Sequence, residues 1–345
     1  MINQISYGGQ FIDNKDINLV SHALKRKIIS SGKLVSKFEN KISKFLKAKY
    51  IVSCNSGTSA LYLSLKAAGV KKNDVVIMPM INFIASYNVC RMLEAKIYFS
   101  DVDKETGQMT PKFLTDCIKK NKIKKIKAVI TMYMGGFPEN ISQFYYLKKK
   151  YAFSIIEDAC HAFGASYKHN NKTFKVGSCK HSDVCTFSFH PLKPITTGEG
   201  GIVTTNNKNI YKDLLLLRSH GISRNKNKHW EYDVTKVGLN FRISDINCAL
   251  GISQMNKLNK FLKKRRKIYQ FYKKNLENYK NVINFPKYQR ISSSSFHLVI
   301  INIKNFSNFK KSSLVKYLLK NNIITQYHYI PIENFSVHKK KKIYL

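Results

Sequence analysis

The chain holds one Trp, seven Pro and only 20 Asp plus Glu in 345 residues, and no stretch is long and apolar enough to span a bilayer. Membrane association is therefore not expected. The opening Met1-Ile2-Asn3-Gln4-Ile5-Ser6 lacks the basic start and apolar core of a signal peptide, which predicts a cytoplasmic protein. The seven cysteines (Cys54, Cys90, Cys117, Cys160, Cys179, Cys185, Cys248) are odd in number and form no C-x-x-C pair, so free, mostly buried thiols are expected. No metal site is expected. Arginine is scarce as well: eight of the 60 basic residues are Arg and 52 are Lys, within a net charge of +40. Readers of nucleic-acid sequence favour Arg forks, whereas these lysines fall in runs such as Lys148-Lys149-Lys150 amid abundant Asn and Ile, the mix an AT-rich genome yields. The charge predicts attraction of an anionic nucleotide but no specific nucleic-acid partner.

What is present reads as a globular α/β chain. At 345 residues and 43% hydrophobic content it buries one large core, or a large and a smaller one. Helical spacing places Ile17, Val20 and Leu24 on one face after Asp13 and Asp16, and Phe38, Ile42, Phe45 and Leu46 on another after Ser36. Uninterrupted apolar runs then alternate with helical stretches: Tyr50–Val52, Val75–Met78, Lys96–Phe99, Ala128–Thr131, Phe153–Ile156, Val184–Phe189 and Gly201–Thr205. Such alternation predicts a mostly parallel sheet covered on both faces. The helix after Tyr50–Val52 is expected to stop at Gly69. A long helix runs from Ser244 to about Lys274, its inner stripe being Leu250, Met255, Leu258, Leu262 and Ile268. Beyond it a strand at Phe296–Ile301 and a helix at Leu314–Leu319 suggest a small second domain. The expected division is a large domain over 1–245 and a small α+β one over 246–345.

Three segments carry chemistry. Asn55-Ser56-Gly57-Thr58-Ser59 sits where a strand turns into a helix, so free N–H groups and the helix dipole there would bind a phosphate. Taken alone it reads first as an ordinary helix cap. Asp158 ends a buried strand, at the edge where open α/β sheets bind ligands; desolvated there, its carboxylate needs a cation. His161 either stacks on a ligand ring or serves the core as a structural histidine. In Ser188-Phe189-His190-Pro191-Leu192-Lys193-Pro194-Ile195-Thr196-Thr197-Gly198-Glu199-Gly200-Gly201, one lysine stands between prolines among apolar and turn-forming neighbours. Lys193 is thus the candidate for a desolvated amine of lowered pKa, as imine chemistry requires.

The ordered set of phosphate loop, Glu157-Asp158-Ala159-x-His161, and Ser188-Phe189-His190-Pro191-x-Lys193-x-Ile195-Thr196-Thr197-Gly198-Glu199-Gly200-Gly201 resembles the sugar-nucleotide aminotransferases of the DegT/DnrJ/EryC1/StrS family, from Tyr7 to about Pro331. The resemblance implies a transferase of fold type I that depends on pyridoxal 5′-phosphate (PLP), dimeric, with shared active sites. Lys193 resembles the lysine that holds the cofactor, and Asp158 the partner of its pyridine nitrogen. Gly57, Thr58 and Ser188 match phosphate-loop positions, and Phe83 and His161 match residues flanking the ring. Asn240 matches a phosphate contact from the other subunit. Tyr7, Lys27, Ile28, Ile29 and Ser30, with Gln326, Tyr327, His328 and Tyr329, match positions lining a sugar-nucleotide pocket. Lys193-Pro194-Ile195 leans toward relatives that use L-glutamate to aminate C4 of a UDP-linked 4-keto-6-deoxy-N-acetylhexosamine. Another nucleotide-linked keto sugar stays open, as does a shortened, inactive PLP-binding protein, because family members usually continue beyond the equivalent of Leu345. Related dehydratases carry His where Lys193 stands, which sets that reading aside.

Overall fold

A computed structural model of the chain describes residues 4–225, 227–228, 230–288, 294–304 and 311–339. In chain order these form α1 (Asn14–Leu24), α2 (Lys33–Leu46), β1 (Tyr50–Cys54), α3 (Gly57–Ala67), β2 (Val75–Pro79), α4 (Ile84–Met92), β3 (Lys96–Ser100), α5 (Pro111–Lys120), β4 (Ala128–Met132), α6 (Ile141–Tyr151) and β5 (Ser154–Asp158). A hairpin of β6 (Ser166–His169) and β7 (Lys172–Lys175) precedes β8 (Val184–Ser188), β9 (Gly201–Thr205) and α7 (Lys208–Leu217). A second hairpin, β10 (Ile222–Arg224) with β11 (Tyr232–Val234), leads into α8 (Asp245–Asn275), the short pair β12 (Ile283–Asn284) and β13 (Asn302–Ile303), and α9 (Lys311–Lys320).

Seven strands make one sheet in the order β1-β9-β8-β5-β4-β2-β3, with β9 antiparallel to both neighbours and the other pairings parallel. Alternate side chains of each strand enter opposite layers. Ile77, Val129, Ile155 and Phe187 pack with α2, α5, α6 and the start of α8, whereas Val76, Ala128, Ile130, Ile156 and Val184 pack with α3, α4 and α7. Both faces are thus covered, which explains why the strands read as continuous apolar runs. A satellite cluster of Phe137, Tyr269, Tyr288 and Phe296 joins the later part of α8 to the C-terminal segment, the Phe137 and Tyr288 rings stacking at 3.8 Å. The expected end of α3 holds: Gly69 N–H donates to Lys66 O at 3.0 Å and Val70 N–H to Leu65 O at 3.0 Å. Six of the seven thiols are buried and all are free.

Several local expectations are corrected. Helix α2 begins at Lys33, ahead of Ser36, because the buried Asp245 carboxylate accepts from Gly32 N–H at 2.6 Å and Leu34 N–H at 2.8 Å. That capping group lies 213 residues away from Gly32, so no local signal announces it. On α1 the inward face is Asp16 and Ala23, while Ile17 and Leu24 are exposed. Buried Asp16 pairs with Lys257 and accepts from Gln254 Nε2 at 3.0 Å, so α1 docks on α8 through a charge as well as through apolar contact. On α8, Ile268 is exposed and Tyr269 takes the inner position. Phe296–Ile301 forms no strand. Ser295 N–H and His297 N–H donate to the carbonyls of Gly136 and Gly135, and Phe296 turns to φ +50, so these groups serve a glycine turn instead of a ladder. Gly136, at φ +91, admits this approach: a Cβ there would lie 2.0 Å from Ser295 Oγ.

Candidate active site

Three of the sequence-selected residues lie at one edge of the sheet. Asp158 closes β5, Ser188 closes the neighbouring β8, and Gly57 opens α3 just after β1. Strands β5 and β8 are parallel, so both side chains stand at the carboxyl edge, where helix N-termini face the opening. Helix α3 is capped by Ser56, whose Oγ accepts from Ser59 N–H at 3.0 Å. Thr58 is exposed in its first turn. Glycine is required at 57 by proximity: a Cβ there would sit 2.8 Å from Ser188 Cβ, 3.2 Å from Ser188 Oγ and 3.4 Å from Cys160 Sγ. The N-terminus of α3 and the Ser188 hydroxyl are therefore pressed together, a cradle of N–H and O–H donors suited to a phosphate.

Lys193 stands in the β8–β9 connection. The loop is tied to itself by Phe189 N–H to Gly200 O at 2.8 Å, Thr197 N–H to Phe189 O at 3.0 Å and Lys193 N–H to His190 O at 2.9 Å. Asn247 Nδ2, in the first turn of α8, donates to Thr197 O at 2.6 Å and fixes the loop against that helix. Burial pushes the Lys193 amine below its ordinary range; the neighbouring Cys160 and Asp158 oppose the shift and the Arg265 guanidinium adds to it. Asp158 is 4% exposed. Its Oδ2 accepts from Ser86 Oγ at 3.1 Å, and Ser86 Oγ accepts in turn from Asn82 Nδ2 at 3.1 Å. Its Oδ1 accepts from Cys160 N–H at 3.3 Å. The carboxylate is thus oriented by neutral donors; among the described residues it forms no ion pair within 4.0 Å, and Lys193 acts on it only through space.

His161 is 3% exposed, its Nε2 bonded to Tyr329 OH at 2.9 Å and its Nδ1 without a partner among the described residues. Its ring lies 4.4 Å from that of His297 and 6.1 Å from that of His328. His328 Nε2 meets Tyr7 OH at 2.6 Å, and the Tyr329 ring packs at 5.7 Å from Phe83. Burial, aided by the nearby Lys193, holds all three imidazoles below their ordinary pKa, His328 to about 4. Burial likewise raises the Tyr7 hydroxyl to about 12. At neutral pH these are uncharged hydrogen-bonding groups.

The structure therefore gathers Gly57, Asp158, His161, Ser188 and Lys193, with Phe83, Tyr7, His328 and Tyr329 beside them. The remaining candidates, Thr58 among them, are exposed. Lys27, Ile28, Ile29 and Ser30 are exposed, held by Asp245 N–H to Ile29 O at 2.9 Å and a Ser30–Ser244 bridge. Asn240 is exposed, its carbonyl facing Asn55 Nδ2 at 3.5 Å. Gln326 and Tyr327 are exposed. Sequence reasoning missed Ser86, Cys160, His297 and Arg265. Cys160 could have been found from its place two residues after Asp158; the others reach the site from elements with no local motif.

A phosphate-bearing pyridine ring fits this donor set: a phosphate cradle at Gly57 and Ser188, a buried carboxylate lacking a cation, an orphaned imidazole nitrogen and a desolvated amine. Residues 10–344 match the DegT/DnrJ/EryC1/StrS aminotransferase family. A UDP-4-amino-4,6-dideoxy-N-acetyl-beta-L-altrosamine transaminase of Campylobacter jejuni is 39% identical over 97% of this chain and 86% of its own length. The GDP-perosamine synthase of Escherichia coli O157:H7 is 32% identical over 96% of this chain and 86% of its own. Among solved structures, the Helicobacter pylori aminotransferase PseC, involved in the biosynthesis of pseudoaminic acid, superposes with a TM-score of 0.87 at 28% identity, covering 98% of this chain and 88% of that one.

Proposed function

Because this chain belongs to the DegT/DnrJ/EryC1/StrS aminotransferase family and is a PLP-dependent sugar aminotransferase, we propose that it transfers the amino group of L-glutamate to C4 of a UDP-linked 4-keto-6-deoxy-N-acetylhexosamine. The product would be UDP-4-amino-4,6-dideoxy-N-acetyl-β-L-altrosamine, a precursor of pseudaminic acid. The observation that carries the chemistry is the meeting of Gly57, Asp158 and Ser188 at one sheet edge beside the half-buried Lys193. The choice of sugar rests on the named Campylobacter relative.

In this reading Lys193 would hold PLP, Gly57, Thr58 and Ser188 would take its phosphate, Asp158 would pair with its pyridine nitrogen, and Phe83 and His161 would flank its ring. When bound, PLP supplies an electron sink that permits an amino group to leave one substrate and join another. The residues do the rest. Lys193, whose amine burial holds below its ordinary pKa, would accept and return the substrate proton at its Nζ. Ser86 and the Cys160 N–H fix the Asp158 carboxylate so that its negative charge stabilises a protonated ring nitrogen. His161, oriented by Tyr329 OH and uncharged, would flank the ring without competing for that charge. Tyr7 and His328 present a hydroxyl and an imidazole to the sugar. Donor and acceptor use the same site in turn, which gives ping-pong kinetics.

The same reading makes the enzyme a cytoplasmic homodimer in which Asn240 reaches the partner's phosphate site and residues 27–30 and 326–329 line the nucleotide-sugar pocket. Residues 1–245 would form the cofactor domain and 246–345 the small domain. The GDP-perosamine synthase relative motivates a second reading, with a GDP-linked keto sugar as acceptor. Incubation with PLP, L-glutamate and a panel of UDP- and GDP-linked 4-keto sugars separates the two. The proposed activity gives an amine from the UDP-linked N-acetylhexosamine with the highest kcat/KM; preferential amination of a GDP sugar overturns that choice of substrate.

A further inference from the structure

Arg265 projects from α8 toward the Lys193 loop. Its Nη1 donates to His297 O at 3.0 Å and its Nη2 lies 3.5 Å from Leu192 O, the carbonyl next to Lys193. The guanidinium is partly buried, and burial lowers it below the ordinary arginine range. Among the described residues it has no carboxylate partner within 4.0 Å, whereas Asp13, Asp16 and Glu39 all pair with basic side chains. A guanidinium carries five N–H donors in a planar fork, and two carbonyls occupy two of them. A desolvated cation with only neutral acceptors is stabilised by an anion that arrives from solution. His297, whose carbonyl it holds, and the His161 and His328 rings grouped with that histidine are uncharged at neutral pH, and Lys193 is committed to the cofactor in the proposed reaction. That leaves Arg265 as the fixed positive charge of this cluster.

We propose that Arg265 binds a carboxylate of the amino-acid donor, holding the donor beside Lys193 in the first half-reaction. The assignment rests on the aminotransferase reading above and names the donor subsite within it. A planar fork matches a carboxylate bidentately, so the expected order of strength is wild type, then Arg265→Lys, then Arg265→Gln.

The test measures binding without turnover. Calorimetric titration of the PLP-loaded enzyme uses glutarate, which has two carboxylates and no amine to react, with glutaramide and UDP as controls. Loss of a partly buried charge pair predicts glutarate affinity lowered ~30-fold or more in Arg265→Gln, part of it restored in Arg265→Lys, with the visible cofactor band present in both. Stopped-flow conversion by L-glutamate is expected to lose at least ten times more than the reverse step with keto sugar. Unchanged glutarate affinity in Arg265→Gln overturns the assignment. So does an equal loss for glutarate and UDP, which would make the diphosphate its anion, and so does loss of the cofactor band in both variants, which would make Arg265 a structural pin. If the wild type consumes no L-glutamate, the choice of L-glutamate as donor itself fails, and the glutarate titration separates that failure from this one.

Discussion

Replacing Gly57 by alanine sets a methyl group 2.8 Å from Ser188 Cβ and 3.2 Å from Ser188 Oγ. Carbon atoms settle at about 3.5–4.0 Å, so the start of α3 must withdraw from the end of β8 by roughly 1 Å. Neither side has room to spare, because Cys160 Sγ stands 3.4 Å from the same point. A phosphate held by the α3 N–H groups and Ser188 Oγ at once would lose one charge-assisted hydrogen bond, worth about 1.5–3 kcal/mol. That corresponds to ~10–100-fold in affinity. Titration of the cofactor-free protein with PLP and, separately, with pyridoxal isolates the effect, since pyridoxal carries the same aldehyde and ring without the phosphate. The wild type is expected to prefer PLP strongly, and Gly57→Ala to shrink that preference ~10–100-fold while moving pyridoxal affinity little. An unchanged PLP affinity, or equal losses for PLP and pyridoxal, would refute the placement of the phosphate between Gly57 and Ser188.

Asp158→Asn keeps the shape of the side chain and removes its charge, so cofactor is retained through the phosphate cradle while kcat falls about 10²-fold or more; normal turnover would contradict the role given to Asp158. The lowered folded-state pKa values of His161, His297 and His328 mean that the unfolded chain binds protons the folded one refuses, so these groups subtract stability as pH falls below about 6.5. Denaturant melts between pH 7 and 5 should show this decline, and His328→Gln should flatten it by less than ~1.4 kcal/mol per pH unit because His328 is only partly buried; an unaltered slope would contradict it. Asp245→Ala strips the cap from α2 and leaves the N–H groups of Gly32 and Leu34 without their acceptor, a loss of ~2 kcal/mol or more that a thermal melt reads as a midpoint several degrees lower.

The strands and the sheet edge were legible because their cause is local. Each buried strand is a short apolar run, and a run ending in Asp158 or Ser188 places that residue at the carboxyl edge whatever surrounds it. The helix caps at Ser56 and Ser244 were readable for the same reason. Features that depend on partners distant in sequence were not. The start of α2 is set by Asp245, the inward face of α1 by Lys257 and Gln254, and the path of residues 294–298 by carbonyls at Gly135 and Gly136. Arg265 and His297 enter the site by the same route: each is one residue on an element that packs from afar, and neither carries a motif. The hairpin of β6 and β7 escaped notice because its strands are short and mostly polar.

In the proposed reaction one lysine among 52 carries the chemistry. Borohydride reduction of the PLP-loaded protein fixes a lysine-bound pyridoxyl group permanently, and digestion followed by peptide mass mapping then reports which lysine bears it. A single stoichiometric label is expected on Lys193 and none in Lys193→Ala; a label on another lysine, or one that persists in that variant, would overturn the assignment of Lys193.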